Sequence, residues 1–133
     1  MNIRKLIKSF GYAGRGVCQL VRHEQNVRIH LLATVAVTVA GVLSGLNRYE
    51  WIAICVAVGL VWSAEAFNTA IEKLVDMVSP EHRPQAGLVK DLAAGGVLIC
   101  AVVSVIIALL VFATHVKCEK SGSHEQPFLV TNY

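Results

Sequence analysis

Charge is what this 133-residue chain is short of: Asp, Glu, Lys and Arg make up 16% of it, whereas 55% is hydrophobic. That balance, with a mean hydropathy of +0.58, excludes an ordinary soluble domain and predicts a single-domain integral membrane protein. The four cysteines, Cys18, Cys55, Cys100 and Cys118, show no C-x-x-C spacing. They offer no redox or zinc motif and are expected to be free thiols, with Cys55 and Cys100 inside apolar runs. No secretory signal pattern with a small-residue cleavage site precedes a soluble region, so the chain is read as the mature protein. Internal repeats are lacking. GYAGRG at 11–16 matches neither a P-loop nor a dinucleotide fingerprint, so any nucleotide must be held by another architecture.

What is there is apolar sequence in three uncharged runs, 31–46, 51–64 and 92–113. A hydrocarbon core about 30 Å thick needs about 20 helical residues. The third run spans unaided, and the first needs a little of its flank. The second reaches only about 21 Å at about 1.5 Å per residue, so its helix must carry Glu65 and Asn68 to membrane depth. Small-residue pairs at Gly41 and Gly45 and at Gly95 and Gly96 are candidates for close helix contacts.

Basic residues orient the spans. Residues 1–28 hold Arg4, Lys5, Lys8, Arg15, Arg22 and Arg28 against Glu24 alone, which places this end in the cytoplasm. The short NRYE connection (47–50) suits an outer turn, the 76–91 connection returns to the cytoplasm, and the C-terminus lies outside. Residues 1–116 form the membrane domain, and 117–133 read as a polar, disordered tail. Ile3, Leu6, Ile7 and Phe10 recur at helical spacing with Arg4, Lys5 and Lys8 on the other face, the pattern of an amphipathic helix on the inner leaflet.

The stretch EAFNTAIEKLVD (65–76) raises the functional question. At about 100° per residue, Asn68, Glu72 and Asp76 all fall within about 60° of Glu65, whereas Phe67, Ala70, Ile71, Leu74 and Val78 take the opposite arc. A helix merely leaving the membrane would also end in acids. It would not need them aligned, and intramembrane carboxylates usually mark function. A hard cation such as Mg²⁺ takes one or two carboxylates and fills its other positions with water and phosphate oxygens. Glu24, the sole acid among residues 1–49, stands at a height comparable to Glu72 and could supply the second ligand or pair with Arg22 or Arg28. In the 76–91 connection two prolines break the helix, and His82, Arg83 and Lys90 are donors suited to polyphosphate.

E-x-x-N-x-x-x-E-x-x-x-D at 65–76, with AGLVKDLAAG (86–95) and EQNVRIH (24–30), resembles the prokaryotic diacylglycerol kinase family over about residues 3–115. The resemblance implies an all-α integral membrane lipid kinase of the bacterial plasma membrane, with three transmembrane helices and an N-terminal surface helix. It also implies homotrimers whose active sites lie between subunits. By that resemblance Glu65 is the catalytic base and Glu24 and Glu72 are the metal ligands. Asn68 orients groups at the reacting centre, and Asp76 supports the network. Lys90, Asp91, Tyr12, Glu81, His82 and Arg83 surround the nucleotide, and Lys5 or Arg4 takes the place of a basic residue often found as arginine. ATP is the co-substrate, Mg²⁺ the cofactor and a membrane lipid alcohol the acceptor, with no nucleic-acid partner. The acceptor is undecaprenol or diacylglycerol; Arg28-Ile29-His30 after Glu24 resembles the undecaprenol-using branch. Two rivals stay open on residues alone: a proton- or cation-conducting protein with Glu65 as relay, and a noncatalytic scaffold.

Overall fold

The computed structural model describes residues 3–81 and 83–122, and among them every regular element is an α-helix. These are α1 (Ile3–His23), α2 (Gln25–Ser44), α3 (Arg48–Val78) and α4 (Pro84–Gly122). Helix α4 runs past position 117; positions 123–133 of the expected tail lie outside the described residues, as does His82.

Helix α1 forms over the amphipathic pattern and extends through GYAGRG, whose glycines lie on an open helix surface. Its stripe of Ile3, Leu6, Ile7 and Phe10 is exposed, while Leu20 near the far end is buried. Such a stripe needs a lipid surface or another apolar partner to leave water. At Glu24 the backbone turns extended (φ −101°, ψ 122°), which separates α1 from α2.

The α2–α3 turn is specified almost atom by atom. Gly45 adopts φ +69°, a left-handed conformation that favours glycine. Its N–H donates to Val42 O, and Leu46 N–H donates to Gly41 O, both at 3.2 Å, closing the last turn of α2. A Cβ at Gly41 would stand 3.0 Å from both Leu46 Cδ1 and Trp51 Cη2. The G-x-x-x-G pair thus divides its labour: Gly41 admits Trp51 of α3, and Gly45 makes the turn. Asn47 then caps α3, its Oδ1 accepting from Tyr49 N (2.9 Å) and Glu50 N (3.1 Å) while Glu50 Oε2 accepts from Asn47 N (2.7 Å).

Helices α3 and α4 form the principal antiparallel pair, with α2 against α3. Leu46, Ile54 and Val111 make a small core flanked by Val37, Trp51 and Phe112. Ser104 Oγ donates to Ala57 O at 2.9 Å, tying α4 to α3, and Trp62 Nε1 donates to Thr34 Oγ1 at 3.1 Å, tying α3 to α2. The expected 76–91 connection is much shorter than the sequence suggests. Helix α3 continues to Val78 and α4 begins at Pro84, because proline fits a helix's first turn, where its missing N–H would have no partner.

Gln25–Ser44, Arg48–Val78 and Pro84–Val116 are each long and apolar enough to cross a membrane. Their outward faces carry exposed Leu32, Leu43, Leu98, Ile99, Leu109 and Leu110, a surface suited to lipid rather than water. Glu65 lies 17 residues beyond Arg48, about 26 Å along the axis, within reach of a hydrocarbon core about 30 Å thick.

Candidate active site

The polar stripe of α3 is buried where it is deepest. Glu65 is 3% exposed, Thr69 5% and Asn68 6%; Glu72 is half-buried and Asp76 exposed. Asn68 Nδ2 donates to Glu72 Oε1 at 3.1 Å, which aims the amide along the stripe. Among the described residues Glu65 Oε2, Asn68 Oδ1 and Thr69 Oγ1 have no hydrogen-bond partner. Buried polar groups are nearly always paired, and each exception asks for an explanation. Three within about one helical turn mark a place that a further molecule completes.

Thr69 escaped the sequence reading, because a mid-helix threonine usually turns its hydroxyl back to the carbonyl four residues earlier. Thr34, Thr38 and Thr114 do so here. Thr69 does not. Its angular position inside the acidic stripe was the available signal.

Glu24, at the break between α1 and α2, and His30 of α2 lie within electrostatic reach of Glu65, as does Glu72. Glu24 Oε1 lies 3.8 Å from Lys73 Nζ. Of the alternative partners expected for it, Arg28 donates from Nη2 to Arg22 O at 2.9 Å. A cavity of about 270 Å³ opens beside Glu65 and Asn68, bounded by Asn26, Ile29 and His30 of α2 and by Ala94, Val97, Leu98 and Ala101 of α4.

A second polar basin of about 420 Å³ lies at the α3–α4 loop and gathers Asp76, Glu81, Arg83 and Lys90. Lys90 Nζ pairs with Asp76 Oδ1 across the two helices, and Arg83 Nη2 reaches Glu81 Oε2 at 3.5 Å within the loop. The remaining expected residues stand apart. Lys5 and Tyr12 are exposed on α1, where Tyr12 carries the Arg15 guanidinium 4.8 Å from its ring centroid. Asp91 is exposed on the first turns of α4, and Arg4 is likewise exposed on α1.

Among the described residues no group of three or more His, Cys, Asp and Glu side chains could hold a metal ion alone. Glu24 and Glu72, both within electrostatic reach of Glu65, are two carboxylates, the number that suits a cation completing its shell with water and phosphate oxygens.

The chain resembles known proteins along most of its length. The prokaryotic diacylglycerol kinase family matches residues 11–112. An undecaprenol kinase of Bacillus subtilis is 43% identical over 110 residues, covering 83% of this chain and 89% of that one. A diacylglycerol kinase of Synechocystis is 37% identical over 103 residues, 77% of this chain and 59% of the relative. The diacylglycerol kinase of Escherichia coli K12 is 27% identical over 111 residues, 84% and 91% of the two chains. A buried acid on a helix that can cross a membrane, together with this kinship, leads to one conclusion: the chain belongs to the prokaryotic diacylglycerol kinase family and is a membrane lipid kinase.

Proposed function

We propose that the protein transfers the γ-phosphoryl group of ATP to the hydroxyl of a membrane lipid alcohol, undecaprenol or diacylglycerol, at the Glu65 end of α3. The observation that carries this reading is the cluster of buried, unpartnered polar atoms on Glu65, Asn68 and Thr69. An acid that can meet a lipid hydroxyl must sit where lipid can reach it, and Glu65 borders a cavity walled largely by apolar residues of α2 and α4.

Glu65 takes the proton of the lipid hydroxyl as the alcohol oxygen bonds to the γ-phosphorus and the bond to the β–γ bridging oxygen breaks, releasing ADP. Asn68, held by Glu72, orients groups beside that oxygen. Glu24 and Glu72 would hold Mg²⁺, which when bound supplies neutralisation of the phosphate charge. Lys90 offsets the charge that develops on the transferred group, and Asp76 keeps Lys90 at the mouth of the site. Asp91, Glu81, His82, Arg83 and Tyr12 surround the nucleotide, with Lys5 or Arg4 contributing a cation from α1. Phosphoryl transfer depends mainly on positioning and charge neutralisation, so a small helical scaffold suffices.

The N-terminus and the α3–α4 loop face the cytoplasm and the C-terminus lies outside. The basic residues of α1 support this orientation. The active form is a homotrimer with sites completed between subunits. Gly95 and Gly96 support it by leaving a face of α4 with open space around it, where another helix can approach closely.

The test supplies ATP labelled on its γ-phosphate, with Mg²⁺, to the purified protein in mixed micelles of undecaprenol or of diacylglycerol, with Glu65→Gln as control. Label should enter a lipid and be lost in the variant. Label in neither lipid, from a folded oligomer, would overturn the reading and bring ion conduction through Glu65 forward.

A further inference from the structure

Next to the cavity at Glu65 a second, apolar groove of about 160 Å³ lies between α2, α3 and α4 and reaches as far as Ala108. The two hollows share His30 and Ala101, so these two side chains stand where the groove and the cavity at the buried carboxylate adjoin. Its floor on α3 runs from Val61 through Ala57 to Ile54, all buried. From Glu65 to Ile54 is eleven residues, about 16 Å along the helix.

The chemistry of the walls states what can lie there. Two hydroxyls line the groove beyond His30, and both are spent. Thr34 Oγ1 donates to His30 O at 2.7 Å and accepts from Trp62 Nε1 at 3.1 Å; Ser104 Oγ donates to Ala57 O at 2.9 Å. No free donor is left for water or an ester carbonyl, whose burial without a partner is costly. The volume is also below the roughly 300 Å³ at which pockets for compact ligands begin. At the other end Glu65 Oε2 is buried and has no partner among the described residues, which suits it to accept from a donor such as an alcohol.

Resting on the lipid-kinase reading, we infer that this groove seats a single hydrocarbon chain joined directly to the reacting hydroxyl, with Ala101 and His30 forming the neck through which the chain passes. The occupant is the tail of a single-chain alcohol such as a prenol. Diacylglycerol would bring two ester carbonyls within a few bonds of its hydroxyl to a neck whose one free polar side chain is His30, and two chains to a single groove. Ala101 therefore determines specificity: a larger side chain there closes the path while Glu65, Asn68 and Glu72 stay in place.

The experiment measures kcat/KM of the full chain in detergent with prenols of increasing length, a straight-chain alkanol and diacylglycerol, for wild type, Ala101→Val and Ala101→Phe. In wild type kcat/KM should climb tenfold or more with chain length and level off once the groove is filled. The alkanol should follow the same curve, and diacylglycerol should fall at least tenfold below the long prenol. In Ala101→Phe the ratio of long to short prenol should collapse by about tenfold, with Ala101→Val intermediate, at unchanged oligomer size and thermal midpoint. Equal rates for short and long prenols in wild type, equal losses for every alcohol in the variants, or diacylglycerol used as well as prenol would each overturn the assignment while leaving the kinase reading intact. A smaller oligomer in Ala101→Phe would also overturn it, by giving the groove to a second copy of the chain. No transfer to any alcohol would strike the kinase reading itself.

Discussion

The two ends of α3 are built on opposite rules. At the Asn47 end each polar side chain that meets the interior has a partner: Asn47 and Glu50 cap the helix reciprocally. His115 from α4 lies with Nδ1 3.1 Å from Glu50 Oε2, while its Nε2–H donates to the Ser44 carbonyl at 2.7 Å. Three helices are thereby pinned at one point. At the Glu65 end three buried polar atoms go without partners. If the open end is where substrates bind, as proposed, stability and activity should respond in opposite senses at the two ends.

The sharpest way to break the comparison is Glu65→Gln. Loss of a positioned base costs about 10² to 10⁴ in rate, yet the amide buries no charge and displaces no existing partner. Turnover should collapse with the thermal midpoint unchanged or raised; a clear drop in the midpoint would mean that Glu65 has a structural partner and would erase the contrast. Glu50→Ala is the mirror image. It strips the cap and leaves His115 Nδ1 unpaired, a loss of about 1 to 3 kcal/mol. Denaturation in detergent should show it, while kcat per folded molecule, with the site a helix length away, holds its value.

How much of this could be read from the residues follows the range of each interaction. The spans, the amphipathic N-terminal helix and the α3 stripe were legible because each repeats at helical spacing within a few residues of sequence. Glu24 could be singled out because it is isolated among cations. His115 gave no such sign, since its partners Glu50 and Ser44 lie 65 and 71 residues away and no local pattern links them. Pro84 misled in the other direction: in a list of residues it reads as a breaker, and in the chain it opens a helix. Lys5, Tyr12 and Asp91 came from kinship alone, and in the isolated chain they remain at the surface, where a second subunit or a nucleotide would have to meet them.

Thr69→Val tests the open end more gently. The isosteric change removes a buried hydroxyl that has no partner, so the thermal midpoint should stay level or rise by the equivalent of up to about 1 kcal/mol. A fall would show that the hydroxyl is satisfied within the assembled protein and would move Thr69 to the structural side of the comparison.

The smallest effect is expected where the open end meets water. The Lys90–Asp76 pair joins α3 to α4, but its side chains are 36% and 65% exposed, and exposed ion pairs contribute about 0 to 1 kcal/mol. A double-mutant cycle of Asp76→Asn and Lys90→Met, read by denaturation, should give a coupling below about 1 kcal/mol. On the proposed mechanism, in which Lys90 serves the phosphates and Asp76 places it, the same two variants should each lose turnover. A coupling in stability as large as the Glu50 effect would make this pair a second structural clasp, and the loss of activity would then follow from loosened helices rather than from the site.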